Sequence, residues 1–374
     1  MIELPAQAGR ALIAAGGTGG HVYPALAVAG RLLDRGWSVD WVGTERGIEQ
    51  RLVPAAEIRL HYLSVSGLRG KNLIARGLGI FRLLLAVLES LIVLRRVKPD
   101  VVLGMGGYAS GPAGMAAWLT RRPLVIHEQN AIAGTTNRWL APFAKRVLCG
   151  LPGRFATERR ARVVGNPVRD TLTPMDRSEL VTLPCFSSDR PMRVLVLGGS
   201  LGAASLNVLL PRVVSVLREQ GAAGAVMIWQ QCGRRNREEA DAAWASSPFQ
   251  DLRCDDFIDD MASAYAWADI VIARAGALTV SELARTGTAS ILIPLPHAID
   301  DHQTANARFL SERGAAVLMP QVEATPEAVA DLLLQWMTSP NALAGMSRSA
   351  SEAAAADATA CVVAALEEVA HANA

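Results

Sequence analysis

An excess of charge of either sign is missing from this chain. Its 37 Lys and Arg against 35 Asp and Glu leave a formal net charge of +2, which argues against a dedicated nucleic-acid binder. Aromatic residues make up 5% and charged residues 19%, so neither aromatic stacking nor charged tails dominate. Cysteine is sparse: Cys149, Cys185, Cys232, Cys254 and Cys361 are scattered, odd in number and form no Cys-x-x-Cys. That excludes a disulfide frame or a zinc site and fits a reducing cytosol. There is no Asp-x-Asp to chelate a metal nucleotide, and the run Asp300-Asp301-His302-Gln303 cannot aim enough oxygens at one hard cation. Neither metal nor cofactor is therefore expected. Long hydrophobic runs are lacking too. The best, Leu83 to Leu94, is broken by Glu89, whereas about 20 apolar residues are needed to cross a bilayer. Met1-Ile-Glu-Leu-Pro has neither the basic start nor the apolar stretch of a secretory signal.

What is abundant is hydrophobic mass, 51% of 374 residues, enough for about two domains with large cores. Short β-rich runs alternate with helical stretches. Leu12–Ala15, Val39–Val42, Val101–Leu103, Leu124–Ile126 and Val147–Leu148 read as strands of a first half. Val194–Leu197, Val226–Trp229, Ile270–Ile272 and Ile291–Ile293 read as strands of a second. This alternation implies parallel sheets covered on both faces. Pro24 would sit in the first turn of a helix running to Arg35, where proline is tolerated. Prolines cluster between Asn166 and Pro191, so the junction falls there. The expected division is 1–168 and 169–345, with an alanine-rich helix from about 346 to 374 packing back on the first domain.

One device occurs twice: a strand, a glycine turn, then a helix. The first copy is Gly16-Gly17-Thr18-Gly19-Gly20-His21, the second Gly198-Gly199-Ser200-Leu201-Gly202-Ala203. Such a turn brings bare N–H groups and a helix N-terminus to one point, which favours anions and above all phosphate. The first copy fails as a dinucleotide fingerprint, because its third position is Val22. His21 stands at its mouth, where a general base could act. A third glycine turn, Gly104-Met105-Gly106-Gly107-Tyr108-Ala109-Ser110-Gly111, follows the strand at Val101. His127-Glu128-Gln129-Asn130 leaves another strand end; these residues either cap the next helix or face a ligand, and spacing does not decide. In the second half Gly276 opens a helix that carries Glu282, which is either an ordinary helix-face acid or a partner for a ribose diol. No serine–histidine–acid set can be inferred.

The surplus hydrophobicity lies between Gly67 and Val97. Ile74, Leu78, Phe81, Leu85, Leu88 and Ile92 form one helical stripe, and Arg82, Glu89 and Arg96 form a narrow polar one. Burial against the sheet is the plain reading. The apolar residues Ile74, Ile80, Phe81 and Leu84, ringed by Arg69, Lys71, Arg76 and Arg82, also suit an anionic membrane surface. Four basic residues at about 1 kcal/mol each permit reversible docking only.

Together the stretches Gly16–Pro24, Ser66–Lys71, Val101–Pro112, His127–Asn130, Gly165–Arg169, Gly198–Ala203, Phe257–Met261 and Ala275–Glu282 resemble, in order, the bacterial MurG family. These are peptidoglycan N-acetylglucosaminyltransferases that convert lipid I to lipid II. The resemblance implies a GT-B fold: two doubly wound Rossmann-like α/β domains facing across a cleft. It implies UDP-N-acetylglucosamine as donor. Ile258 would meet uracil and Glu282 the ribose. Ser200 and the helix start Ala277, Leu278 and Thr279 would hold the phosphates with Arg169 helping, Val280 and Ser281 would belong to the donor site, and Gln303 would hold the sugar. Thr18, Gly19, Gly20 and Asn130 would close over the donor. Gly16, Gly17, Gly106, Gly107, Tyr108, Ser110 and Gly111 would take the pyrophosphate of the undecaprenyl acceptor, lipid I. The reaction would be an inverting, metal-independent displacement with His21 as base and Glu128 as runner-up. Peripheral attachment to the cytoplasmic side of the inner membrane, cell-wall synthesis proteins as partners, and a part in cell shape and division follow from the same resemblance. Leu201 stands where the family usually has glutamine. The competing readings are a UDP-sugar 2-epimerase on the same fold and a non-catalytic UDP-sugar sensor.

Overall fold

The computed structural model describes residues 8–65, 73–157, 161–199, 202–296 and 301–372, the side chains of residues 73–78 and 80 excepted. The chain forms two compact units, one of residues up to Arg169 together with those from Ala355 onward, the other Asp170–Ala354.

Unit 1 runs β1 (Gly9–Ala14), α1 (Gly19–Asp34), β2 (Trp37–Gly43), α2 (Glu49–Ala55), β3 (Arg59–Tyr62), α3 (Leu73–Val97), β4 (Val101–Gly104), α4 (Ser110–Leu119), β5 (Leu124–Glu128), α5 (Thr135–Leu140), β6 (Arg146–Cys149) and β7 (Ala161–Val163). Unit 2 runs α6 (Glu179–Thr182), β8 (Met192–Leu197), α7 (Ala204–Glu219), β9 (Val226–Gln231), α8 (Arg237–Ala245), β10 (Leu252–Asp255), α9 (Met261–Trp267), β11 (Ile270–Ala273), α10 (Ala277–Thr286), β12 (Ser290–Leu292), α11 (His302–Ser311), β13 (Ala316–Leu318), α12 (Pro326–Thr338) and α13 (Pro340–Glu352). The last helix, α14 (Ala358–His371), belongs to unit 1.

Both sheets are parallel and doubly wound. Their orders are β3-β2-β1-β4-β5-β6-β7 and β10-β9-β8-β11-β12-β13. Alternation along β1 builds the layers. Ile13 packs with Val22 and Val28 of α1 and with Val362 and Leu366 of α14. Leu12 and Ala14 point the other way, toward Ala86 and Leu94 of α3 and Ala113 of α4. In unit 2, Val194, Val196, Ile270 and Ile272 meet Leu210 and Val213 of α7 and Leu333 and Trp336 of α12.

Four strands lie beyond the sequence expectation: β3, β7, β10 and β13. Each is an edge strand. An edge has one covered flank at most, so its residues are mixed and partly exposed, and β3 reads Arg59-Leu60-His61-Tyr62. Pro24 is also placed differently. α1 already opens at Gly19, so Pro24 lies inside the helix rather than in its first turn. Finally, the expected return from about residue 346 starts later. α13 packs on α10 and α6 within unit 2. α14 alone returns, fastened by Arg35 to Glu367 at 2.8 Å and by Arg31 to Asp357 at 3.3 Å. Asp357 also caps the helix by accepting from the Ala360 N–H.

Unit 2 is tied at the other end of its sheet by Asp269, a buried carboxylate just before β11. It accepts from both terminal nitrogens of Arg190 and from the backbone and guanidinium of Arg193. Burial pushes the Asp269 pKa up, but these bonds outweigh it and hold it below the usual carboxylate value.

Candidate functional site

In each sheet the chain reverses its winding between two central strands, β1 and β4 in unit 1 and β8 and β11 in unit 2. Open α/β sheets bind ligands beyond the carboxyl ends of the strands at such points. All the glycine turns leave these strands. The strand order therefore gathers them, at two points, which spacing alone could not do.

In unit 1 the turns after β1 and β4 are in contact. A Cβ on Gly107 would stand 2.3 Å from the Gly16 carbonyl oxygen, and one on Gly106 would stand 2.7 Å from His21 Cδ2. Gly106 and Gly107 also adopt φ of +94° and +81°, where a side chain is strained. The His21 ring thus lies directly over the second turn. It is half-buried, with Nδ1 3.4 Å from the Thr18 hydroxyl. Thr18, Gly20 and Tyr108 are exposed beside it.

Two predicted acceptor contacts are corrected. Ser110 is fully buried, with its hydroxyl 2.6 Å from the Ala14 oxygen and 2.7 Å from the Gly106 oxygen, so it shapes the turn instead of facing a ligand. The Gly17 N–H, expected to greet phosphate, is donated to Glu49 at 2.9 Å. Gly16 is buried against the same carboxylate. Gly111 is half-buried at the start of α4.

Glu128 is buried with its carboxylate filled. It accepts from the Asn130 N–H at 3.0 Å, Asn130 Nδ2 at 3.1 Å, the Gly134 N–H at 3.0 Å and Asn137 Nδ2 at 2.9 Å. A group so occupied holds the loop after β5 in shape and has its oxygens turned to that loop instead of to a reacting hydroxyl, which weakens its candidacy as base. Burial and then the Glu128 charge push the neighbouring Cys149 thiol up to about 12, so that thiol stays protonated. His127 is fully buried, and burial lowers its pKa, so it is neutral; its Nε2–H donates to the Gly165 oxygen at 2.9 Å. The guanidinium of Arg169 sits 4.5 Å above the Tyr23 ring of α1.

In unit 2 the turn after β8 is tight. A Cβ on Gly198 would meet the Ala203 nitrogen at 2.4 Å, and one on Gly202 the Cys232 oxygen at 2.3 Å. Amide side chains brace it: Gln231 Nε2 donates to the Gly199 oxygen, and Asn207 Nδ2 to the Cys232 oxygen. Gln230 in turn donates to Asn207 and accepts from Trp244. Ser200 and Leu201 lie outside the described residues. After β11, Gly276 is the N-cap of α10 and offers no capping side chain. Ala277 and Val280 are buried, Leu278 and Thr279 half-buried, and the Ser281 hydroxyl bonds back to the Ala277 oxygen. Glu282 is buried and accepts from the Tyr265 hydroxyl at 3.1 Å. Ile258 is buried in the loop between β10 and α9. Gln303 opens α11, with its Oε1 accepting from the Leu295 N–H at 2.9 Å.

Sequence reasoning missed Glu49, Asn207, Gln230 and Gln231. Only Glu49 carried a signal, an acidic residue closely preceded by Gly43 and Gly47.

The α3 stripe is turned outward. Phe81, Leu84, Leu85, Leu88 and Ile92 are exposed, Phe81 at 64%, while Ala86, Ser90 and Leu94 form the buried face. Small residues permit α3 to lie close on α4, which overrides the larger-residue stripe. Arg82, Arg95 and Arg96 flank this face. Arg69 and Lys71 lie outside the described residues, as do the side chains of Ile74, Arg76 and Ile80. No described helix is long and apolar enough to cross a membrane.

Comparisons with known proteins find relatives that span both units. Residues 11–149 match the glycosyltransferase family 28 N-terminal domain, and residues 193–361 match its C-terminal domain. A relative from Tolumonas auensis is 46% identical over 94% of this chain and 97% of its own. It is named UDP-N-acetylglucosamine–N-acetylmuramyl-(pentapeptide) pyrophosphoryl-undecaprenol N-acetylglucosamine transferase. The crystal structure of Acinetobacter baumannii MurG is 38% identical, with a TM-score of 0.78, across 96% of this chain and 99% of that one. A UDP-GlcNAc 2-epimerase from Neisseria meningitidis, solved with UDP-GlcNAc, has a TM-score of 0.64 at 12% identity, covering 96% and 100%; it shares the fold alone.

Proposed function

The chain belongs to glycosyltransferase family 28, and from that premise we propose that it transfers N-acetylglucosamine from UDP-N-acetylglucosamine to lipid I, giving lipid II. The full-length likeness to the named transferases carries this reading. The epimerase alternative is not favoured, because its representative is alike in fold only.

Within the proposal, unit 2 holds the donor. Ile258 meets uracil, Glu282 the ribose, and the α10 start with Ser200 the diphosphate. Gln303 meets the sugar. The burial of Glu282 on α10 and its bond from the Tyr265 hydroxyl support the ribose role, because they hold a carboxylate in fixed orientation, and a carboxylate accepts strongly from hydroxyls. Unit 1 takes the acceptor diphosphate at its turn residues, the exposed Gly20 and Tyr108 and the half-buried Gly107, and carries the base. The 4-hydroxyl of the muramyl sugar gives its proton to His21 as its oxygen attacks the anomeric carbon. The bond to UDP breaks, and the configuration inverts. Negative charge grows on the leaving diphosphate, and a helix N-terminus stabilises it by about 0.3–1 kcal/mol, up to about 2 when partly buried. Metal-free operation rests on such dipoles acting together.

The exposed α3 face suits an anionic membrane surface, where the acceptor's lipid tail resides. The protein then works as a peripheral enzyme on the cytoplasmic face of the inner membrane. Its product feeds wall growth, and through it cell shape and division. The test is incubation with labelled UDP-N-acetylglucosamine and a short-chain lipid I analogue, with chelator present. Label in the lipid product is expected; free epimer released without lipid would overturn the reading.

A further inference from the structure

Glu49 is completely buried at the start of α2, and its carboxylate accepts three hydrogen bonds. Oε2 takes the Gly17 N–H at 2.9 Å. Oε1 takes the Thr44 N–H and the Thr44 hydroxyl, both at 2.9 Å. No described cation lies within ion-pair distance of it. A buried, unpaired carboxylate is costly, so its bonds must be well made.

Three glycines make room for it. A Cβ would come within 2.5 Å of the Glu49 side chain from Gly16, 2.7 Å from Gly43 and 1.8 Å from Gly47. Gly16 therefore lacks a side chain because Glu49 lies under it, not because of its backbone angles. Gly17 then takes φ +93° with its N–H turned down to the carboxylate. The chain reverses there, and α1 opens at Gly19 with His21 in its first turn. Gly16 in turn abuts Gly107, and His21 abuts Gly106.

We propose that Glu49 is a positioning residue for catalysis: its carboxylate sets the Gly16–Gly17 turn and through it the place of the His21 ring. The proposal rests on His21 acting as base. Glu49 touches no reacting atom. It acts by removing freedom from the peptide that leads into α1.

Glu49→Gln is the informative change, because it is isosteric. With the amide oxygen kept toward Thr44, the new NH2 faces the Gly17 N–H, donor against donor. The turn is released while the volume is preserved. A misplacement of about 1 Å at a catalytic group costs about 100-fold in rate. The expected result is a kcat lower by about 10- to 100-fold, with the KM for UDP-N-acetylglucosamine changed by less than about twofold. The deciding readout is non-additivity: in a His21→Ala background, Glu49→Gln should cost less than about twofold. Equal fold-losses in both backgrounds, or an unchanged kcat in a folded Glu49→Gln protein, would overturn the proposal. Should Glu49→Gln fail to fold, Thr44→Val serves, since it removes one bond and keeps the charge. An intermediate kcat loss that vanishes in the His21→Ala background supports the proposal; a loss that persists there refutes it. The reading of function fails separately, by absence of transfer in the unsubstituted protein.

Discussion

The two units share a strand order but brace their glycine turns with different chemistry. Unit 1 uses buried carboxylates, Glu49 beneath the first turn and Glu128 beneath the loop after β5. Unit 2 uses neutral amides, Asn207, Gln230 and Gln231. Both devices satisfy backbone groups, yet only the carboxylates add negative charge behind the turn. Both units are proposed to take a diphosphate, but only on the donor's does negative charge grow during the reaction. A turn braced by amides leaves the helix dipole unopposed, which suits unit 2 for the donor. The carboxylate-braced unit gains something else, a stiffly held frame beneath His21.

Four changes would break or sharpen that contrast. His21→Ala has the largest expected effect, a kcat loss of about 100- to 10,000-fold, with UDP affinity nearly unchanged by calorimetry. Equal losses in turnover and binding would place His21 in binding instead. Glu282→Ala should weaken UDP about 10- to 100-fold, the worth of a charged hydrogen bond at about 1.5–3 kcal/mol. Unaltered affinity would take the ribose away from Glu282. Leu88→Glu on the exposed α3 face should lower binding to anionic vesicles by about tenfold, judged from the area of one leucine. Sedimentation with vesicles measures this, and full binding would move the docking surface elsewhere.

The smallest effect concerns acid. Asp269 has its pKa depressed in the folded state, so its contribution to stability is present above the unfolded value of about 3.9 and is lost as pH falls through the folded one. Urea titrations across that window should show unit 2 weakening, and Asp269→Asn should flatten the slope. An unchanged slope would mean that Arg190 and Arg193 do not hold the carboxylate.

How much was legible follows burial. The inner strands β1, β4, β8 and β11 are apolar on both faces, and their sequences announced them. The edge strands β3, β7, β10 and β13 were silent, since a partly wet strand carries no pure pattern. The periodicity of α3 was real, but periodicity does not say which face is covered. There the small residues Ala86 and Ser90 turned inward and left Phe81 and Leu88 outside. In the site, glycine spacing exposed the turns, whereas Ser110 looked like a ligand contact and is spent on the backbone of its own turn.

Sequence alone determined the alternation of strand and helix, the three glycine turns and the residue types that meet phosphate, because propensity and hydrophobic period are local properties. Tertiary structure alone decided that Gly107 touches Gly16, that His21 lies over Gly106 and that Glu49 pins Gly17. Those contacts depend on strand order, which brings β1 beside β4 across nearly a hundred residues of chain, and no local pattern encodes such a distance.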